Sequence, residues 1–73
     1  MNKHSIVISG HQTSFSLEPE FWAELKQIAL QKGLSLGTLI EEIDNTRRGN
    51  LSSAIRIYIL KTLKQKVVQD KGA

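Results

Sequence analysis

Polar and apolar residues alternate over a short stretch near the start of the chain. In the segment QTSFSL, Thr13, Phe15 and Leu17 fall on one side of an extended backbone, and the residues between them fall on the other. The sequence therefore predicts a strand over about residues 11–17 with one buried face. The upstream run SIVIS is also rich in branched residues, and Gly10 separates it from this strand, which indicates a bulge or a turn.

After the strand, the apolar residues recur at helical spacing. A helix is predicted over about residues 19–32, because Pro19 suits the first helical position and Gly33 suits a left-handed C-terminal cap. A second helix is predicted over about residues 35–45, with Ser35 as its N-cap. Both helices are amphipathic, so each is expected to bury one side.

A third helix is predicted over about residues 51–67, after a break at NTRRG and with Asn50 as its cap. The alternation of isoleucines in IRIYI competes for a strand, but the whole run is too long for a typical strand. Its apolar stripe is broad, which indicates a helix covered on two sides. The stripe consists of Leu51, Ala54, Ile55, Tyr58, Ile59, Leu63 and Val67.

A chain of 73 residues forms one small domain that buries only about 60% of its unfolded surface. It has no cysteine, and His4 and His11 do not make a closed metal site, so association with a second copy is the expected source of further stability. The sequence shows no signal peptide, membrane span or nucleophile with a base. We therefore expect a cytoplasmic protein that is not an enzyme and has no cofactor.

A strand followed only by helices leaves its backbone N–H and C=O groups without partners, which is costly if they are buried. In one solution SIVIS folds back through a turn at Gly10–His11 and forms a hairpin within the chain. In the other, the strand pairs antiparallel with the same strand of another chain. The second solution also enlarges the core, so the sequence favours it.

The order of strand, proline-initiated helix, glycine stop and serine-capped helix resembles the ribbon-helix-helix DNA-binding proteins, the Arc-like class. The residues that carry the resemblance are QTSFSL, the helix with Leu25, Ile28 and Ala29, and the GLS turn followed by Leu39 and Ile40. The set GHQTSFSLEPEFW, GLSL, LIEEID and NLSSAIR is similar to a bacterial branch of uncharacterised ribbon-helix-helix domain proteins.

This resemblance implies a mainly α protein with one short strand and a ribbon-helix-helix fold, to which the predicted third helix is an additional C-terminal helix beyond the minimal family fold. It implies an intertwined homodimer in which two strands form an antiparallel ribbon that binds the major groove of duplex DNA. The additional helix leaves a tetramer or another partner open. The residues expected to contact bases are Gln12, Ser14 and Ser16; those expected near phosphates are Lys3, His11, Lys32 and Ser35; those expected in the dimer core are Thr13, Phe15, Leu17, Trp22 and Leu25.

Other interpretations of the same residues remain open. Gln12, Ser14 and Ser16 also suit the solvated side of a half-buried sheet, and the reading side of this strand lacks the arginine or lysine of many family members. Arg47 and Arg48 are candidate anion ligands or simply a solvated loop. The alternative function is an antitoxin-like module in which the same dimer holds a partner protein.

Overall fold

The computed structural model describes residues 2–46 and 49–72, with side chains described as far as residue 65. Arg47 and Arg48, the candidate anion ligands, lie outside the described residues. Within the described residues, two strands precede three helices. They are β1 (Asn2–Ile8), β2 (His11–Leu17), α1 (Pro19–Lys32), α2 (Leu36–Thr46) and α3 (Leu51–Gly72).

The two strands form an antiparallel ribbon within the one chain, in register from Asn2 opposite Leu17 to Ile8 opposite His11. Ser9 (φ 51°) and Gly10 (φ 80°) make the connection. Positive φ at both central residues is the geometry of a type I′ turn, whose twist matches that of the strands it joins.

The expectation of one strand per chain, with its partner supplied by a second copy, was wrong for this ribbon. The segment SIVIS lies within β1 and pairs with β2 of the same chain. A two-residue connection brings the strands together with little loss of chain entropy, so the paired backbone groups do not need a second copy. The turn lies at Ser9–Gly10, one residue before the predicted position.

Capping residues fix the helix ends as their types predict. Pro19 is the first residue of α1, and Gly33 (φ 69°) ends that helix and donates its N–H to the Leu30 carbonyl. The side chains of Ser35 and Asn50 accept the N–H of the residue three positions later, at 3.1 and 2.8 Å, at the starts of α2 and α3. The three predicted caps are therefore confirmed.

The core lies between the inner face of the ribbon and the three helices. Its buried side chains are Ile8, Phe15, Leu17, Leu25, Ile28, Ala29, Leu39, Ile40, Ile43, Leu51, Ile55 and Ile59. Every described element contributes to this set, so the ribbon is packed against the helices as one layer on another.

The longest helix, α3, is covered on one side only within the single chain. Ile55 and Ile59 are completely buried, whereas Ile57 and Leu60 are each 52% exposed on the other side. The backbone remains helical to Gly72, beyond the predicted end near residue 67. Within the described ranges, no helix combines the length and the apolar character needed to cross a membrane.

Candidate nucleic-acid interface

The ribbon has a second face, which points away from the helices and which we call the outer face. Residues that lie directly opposite each other in an antiparallel ribbon share a face. The outer face consists of three such pairs: Val7 with Gln12, Ser5 with Ser14, and Lys3 with Ser16. All six side chains are exposed except that of Ser16, which is half-buried.

The outer face is polar, and its single charge is positive. The hydroxyls of Ser5 and Ser14 lie 3.3 Å apart, within hydrogen-bonding distance, at the middle of the face. Lys3 lies at one end and contributes an ammonium group. The surface therefore offers hydrogen-bond donors and acceptors together with one cation, and none of its six residues is acidic.

Helix α3 fixes the end of the ribbon that lies far from the turn. The N–H of Ser16 donates to the Ser52 hydroxyl at 2.9 Å, and the Arg56 guanidinium donates to the Ser16 carbonyl at 3.3 Å. Both backbone groups of Ser16 thus point away from β1 and towards α3. These contacts attach one edge of β2 to the helix layer and hold the outer face in a fixed orientation.

Arg56 also binds Glu18, the residue that precedes α1, through its Nε at 2.9 Å from Oε1. A backbone hydrogen bond at Glu18 and then the Arg56 guanidinium lower the pKa of the Glu18 carboxyl. The guanidinium therefore joins the ribbon, α1 and α3, which is a structural role and not an exposed anion contact.

The structure places the four predicted phosphate-contacting residues at different positions. Lys3 belongs to the outer face, and His11 is exposed at the start of β2. The Lys32 ammonium lies 5.7 Å from the centre of the Tyr58 ring, and a hydrogen bond with Tyr58 raises the pKa of Lys32. Ser35 is occupied as the cap of α2. Only the first two therefore lie on the ribbon.

The five residues predicted for a dimer core pack inside the single chain. Phe15, Leu17 and Leu25 are buried, and Thr13 and Trp22 are half-buried. The Trp22 ring stacks on the imidazole of His4, with their centres 3.8 Å apart and their planes 12° from parallel. The chain's own strands and helices therefore cover Phe15, Leu17 and Leu25 completely and Thr13 and Trp22 in part.

Sequence reasoning missed Ser5 and Val7, the two outer-face residues that β1 adds besides Lys3. The signal was present in SIVIS, where Ser5 and Val7 alternate with Ile6 and Ile8. That alternation assigns a face only after the register with β2 is known, and the register depends on the turn at Ser9–Gly10.

The described residues contain no group of three or more histidine, aspartate or glutamate side chains placed to hold a metal ion. A family model described as a ribbon-helix-helix domain matches residues 1–63, which include both strands, α1, α2 and more than half of α3. No curated protein and no solved structure matches the chain.

Proposed function

Since the chain belongs to the ribbon-helix-helix domain family, we propose that it is a homodimeric transcriptional regulator that binds specific sequences of duplex DNA. The family generally implies a DNA-binding regulator. The observation that carries the proposal is the exposed, polar outer face of a two-stranded ribbon, because the major groove admits an element of this width. Such a regulator acts in the bacterial cytoplasm, where its DNA is.

The outer face supplies the proposed base contacts. Gln12 has an amide that can bond adenine at N6 and N7 together, whereas the hydroxyls of Ser14 and Ser16 can donate to or accept from several base edges. Ser16 contributes less because it is half-buried and its backbone is held by α3. Base selectivity is therefore concentrated towards the turn end of the ribbon.

The proposed phosphate contacts lie on the ribbon and at the junction of α1 and α2. Lys3 and His11 lie on the ribbon itself and are exposed, so they are the closest candidates. Lys32 and Ser35 follow at the end of α1 and the start of α2, where helical N–H groups and a positive charge favour a phosphate. Neutralisation of phosphates by these groups makes the affinity depend on salt.

The proposed contact between the two copies is the exposed apolar stripe of α3, formed by Ile57, Leu60 and Leu63. Three observations support a second copy as its occupant. The family usually forms dimers, a domain of this length gains stability from a shared core, and the chain's own elements already bury Phe15, Leu17 and Leu25. Burial of this stripe against a second copy would cover α3 on two sides, as its broad apolar stripe predicts.

Fluorescence anisotropy of a labelled duplex, titrated with the protein at low salt and again as salt is raised, tests the proposal. We expect binding at low salt that weakens steeply with added salt. A selected duplex then tests specificity: Gln12→Ala should weaken binding about tenfold, and Gln27→Ala, an exposed glutamine on α1, should not.

An absence of binding even at low salt would refute DNA binding. The long basic helix α3, which carries Lys61 and Lys64, would then favour the second candidate, an antitoxin-like module in which the same dimer holds a partner protein. Equal loss of affinity in the two glutamine variants would instead remove Gln12 from the base-contacting set while leaving duplex binding in place.

A further inference from the structure

One apolar side chain on the outer face has no role in the fold. Val7 is 68% exposed, while its neighbours on the same strand face, Lys3 and Ser5, are polar or charged. An exposed valine suits a strand, but it contributes no packing to the core here. Because Val7 lies on the surface proposed to enter the major groove, it is available to contact a base.

Val7 lies directly opposite Gln12 in the ribbon. Opposed residues in an antiparallel ribbon are either hydrogen-bonded pairs, which exchange backbone hydrogen bonds, or non-hydrogen-bonded pairs, and the two types alternate. The Lys3–Ser16 pair is non-hydrogen-bonded, because both backbone groups of Ser16 point towards α3. The Val7–Gln12 pair lies an even number of pairs away, so it is non-hydrogen-bonded as well. In such pairs the Cβ atoms are about 4.5–5.5 Å apart, so the two side chains project together.

This combination matches one base pair chemically. In the major groove an A·T pair presents the N7 acceptor and N6 donor of adenine beside the C5-methyl group of thymine. A glutamine amide is complementary to the first two, and an apolar side chain is complementary to the methyl. A G·C pair has no methyl group at that edge and presents a cytosine donor instead.

We infer that Val7 and Gln12 act as one unit that selects an A·T base pair, with Gln12 on adenine and Val7 on the thymine methyl. This inference rests on the proposed function and specifies its base preference. The neighbouring Ser5–Ser14 pair is less selective, because hydroxyls both donate and accept. The Val7–Gln12 pair is therefore the main determinant of sequence on this face.

The test removes the thymine methyl groups from the DNA and, separately, replaces Val7 in the protein. A preferred duplex is first selected from a random pool, and each thymine in it is then replaced by deoxyuridine, which lacks the methyl. At one position in each half-site we expect the wild-type protein to lose affinity about fourfold, the value of one buried methyl group. The variant Val7→Ala should lose less than twofold at that position.

Two controls separate this effect from general damage. Leu30→Ala removes an equally exposed apolar side chain from α1, away from the ribbon, and should keep the full loss on deoxyuridine substitution. Gln12→Ala should reduce the preference for adenine in the same base pair. The DNA substitution measures the methyl contact with the unaltered protein, so the result does not depend on how a variant folds.

Salt-dependent binding without an effect of deoxyuridine at any position would overturn the inference and leave DNA binding intact. An effect that persists fully in Val7→Ala would likewise overturn it, because another side chain would then contact the methyl. A protein that binds no duplex at low salt would refute the proposed function itself, and the inference with it.

Discussion

Phe15 shows how one side chain couples the ribbon to the helices. It is 3% exposed, and its ring centre lies 5.5 Å from that of His4 and 6.1 Å from that of Trp22. These distances fall within the range of favourable aromatic contacts. Phe15 thus packs against residues from β1 and α1 at once.

Replacement of Phe15 with alanine should lower the free energy of unfolding by about 3–5 kcal/mol, because it removes a buried ring and leaves a cavity. Urea denaturation followed by circular dichroism measures this loss. Phe15→Leu fills most of the space and should cost less. An unchanged urea midpoint for Phe15→Ala would contradict the burial of this side chain.

The Glu18–Arg56 ion pair predicts a dependence of stability on pH. Because the pKa of the folded Glu18 carboxyl lies below its ordinary value of 4.5, the charged pair stabilises the fold near neutral pH. That contribution is lost as the pH falls through the lowered pKa of the folded state. The carboxyl is exposed, so the effect is small.

Glu18→Gln should therefore melt at a lower temperature than the wild type at neutral pH, and the difference should shrink as the pH falls below the ordinary carboxyl pKa of 4.5. Thermal denaturation at a series of pH values measures the difference. Glu20→Gln, which also removes one carboxylate near the start of α1, is the matched control and should lower the melting temperature less at neutral pH. A constant difference across the series would show that the charge of Glu18 is not responsible.

The ribbon depends on its turn, and position 10 in that turn has a backbone conformation that favours glycine. Its φ is +80°, and a Cβ at this position would have no neighbour within 4 Å. A substitution therefore meets backbone strain and no steric clash. The loss of stability in such a variant therefore measures the cost of the left-handed backbone conformation alone.

Gly10→Ala should reduce the free energy of unfolding by about 1–2 kcal/mol, the cost of a left-handed conformation for a residue with a Cβ. Gly37→Ala is the control of opposite sign. Gly37 lies within α2, where its Cβ would meet Ile6 at an ordinary 3.6 Å, and alanine favours a helix by up to about 1 kcal/mol. Urea denaturation of the two variants should move the midpoint in opposite directions.

Local chemistry explains which elements could be predicted from the sequence. Gly33, Ser35 and Asn50 mark helix ends because a cap depends only on a few neighbouring residues. The inner face of β2 followed from alternation alone, and Phe15 and Leu17 are indeed buried. Both kinds of signal lie within a single segment.

The pairing of the strands could not be predicted in the same way. Unpaired backbone groups are satisfied equally well by a strand of the same chain or of another chain. The sequence therefore predicted that Gln12 and Ser14 lie on a polar face, but it did not predict that Ser5 and Val7 lie beside them. The bond between Ser16 and Ser52 joins residues 36 positions apart, and no local periodicity encodes such a contact. The missing information was tertiary.

At the scale of the whole molecule, the proposed homodimer should make stability depend on concentration. Association stabilises the folded state by mass action, so the melting temperature should rise with protein concentration. Leu60→Glu places a charge in the exposed stripe of α3 and should abolish the rise. Differential scanning calorimetry over a hundredfold concentration range, with sedimentation for mass, measures both effects.

Gln65→Glu is the matched control, because it adds the same charge to an exposed position of α3 outside the stripe. The melting temperature of this variant should still rise with concentration. A concentration-independent melting temperature and a monomer mass for the wild type would refute the homodimer. A dimer that survives Leu60→Glu would place the contact between copies on another surface.

The hydrogen bonds between α3 and Ser16 also matter during synthesis of the protein on the ribosome. The ribbon consists of neighbouring segments, and a hairpin closes in about 1–10 μs, so it can form as soon as β2 emerges. The helix that binds β2 at Ser16 is translated roughly 2–7 seconds later at usual elongation rates. During that interval the backbone groups of Ser16 are open to the nascent chains of neighbouring ribosomes, and α3 then binds both of them.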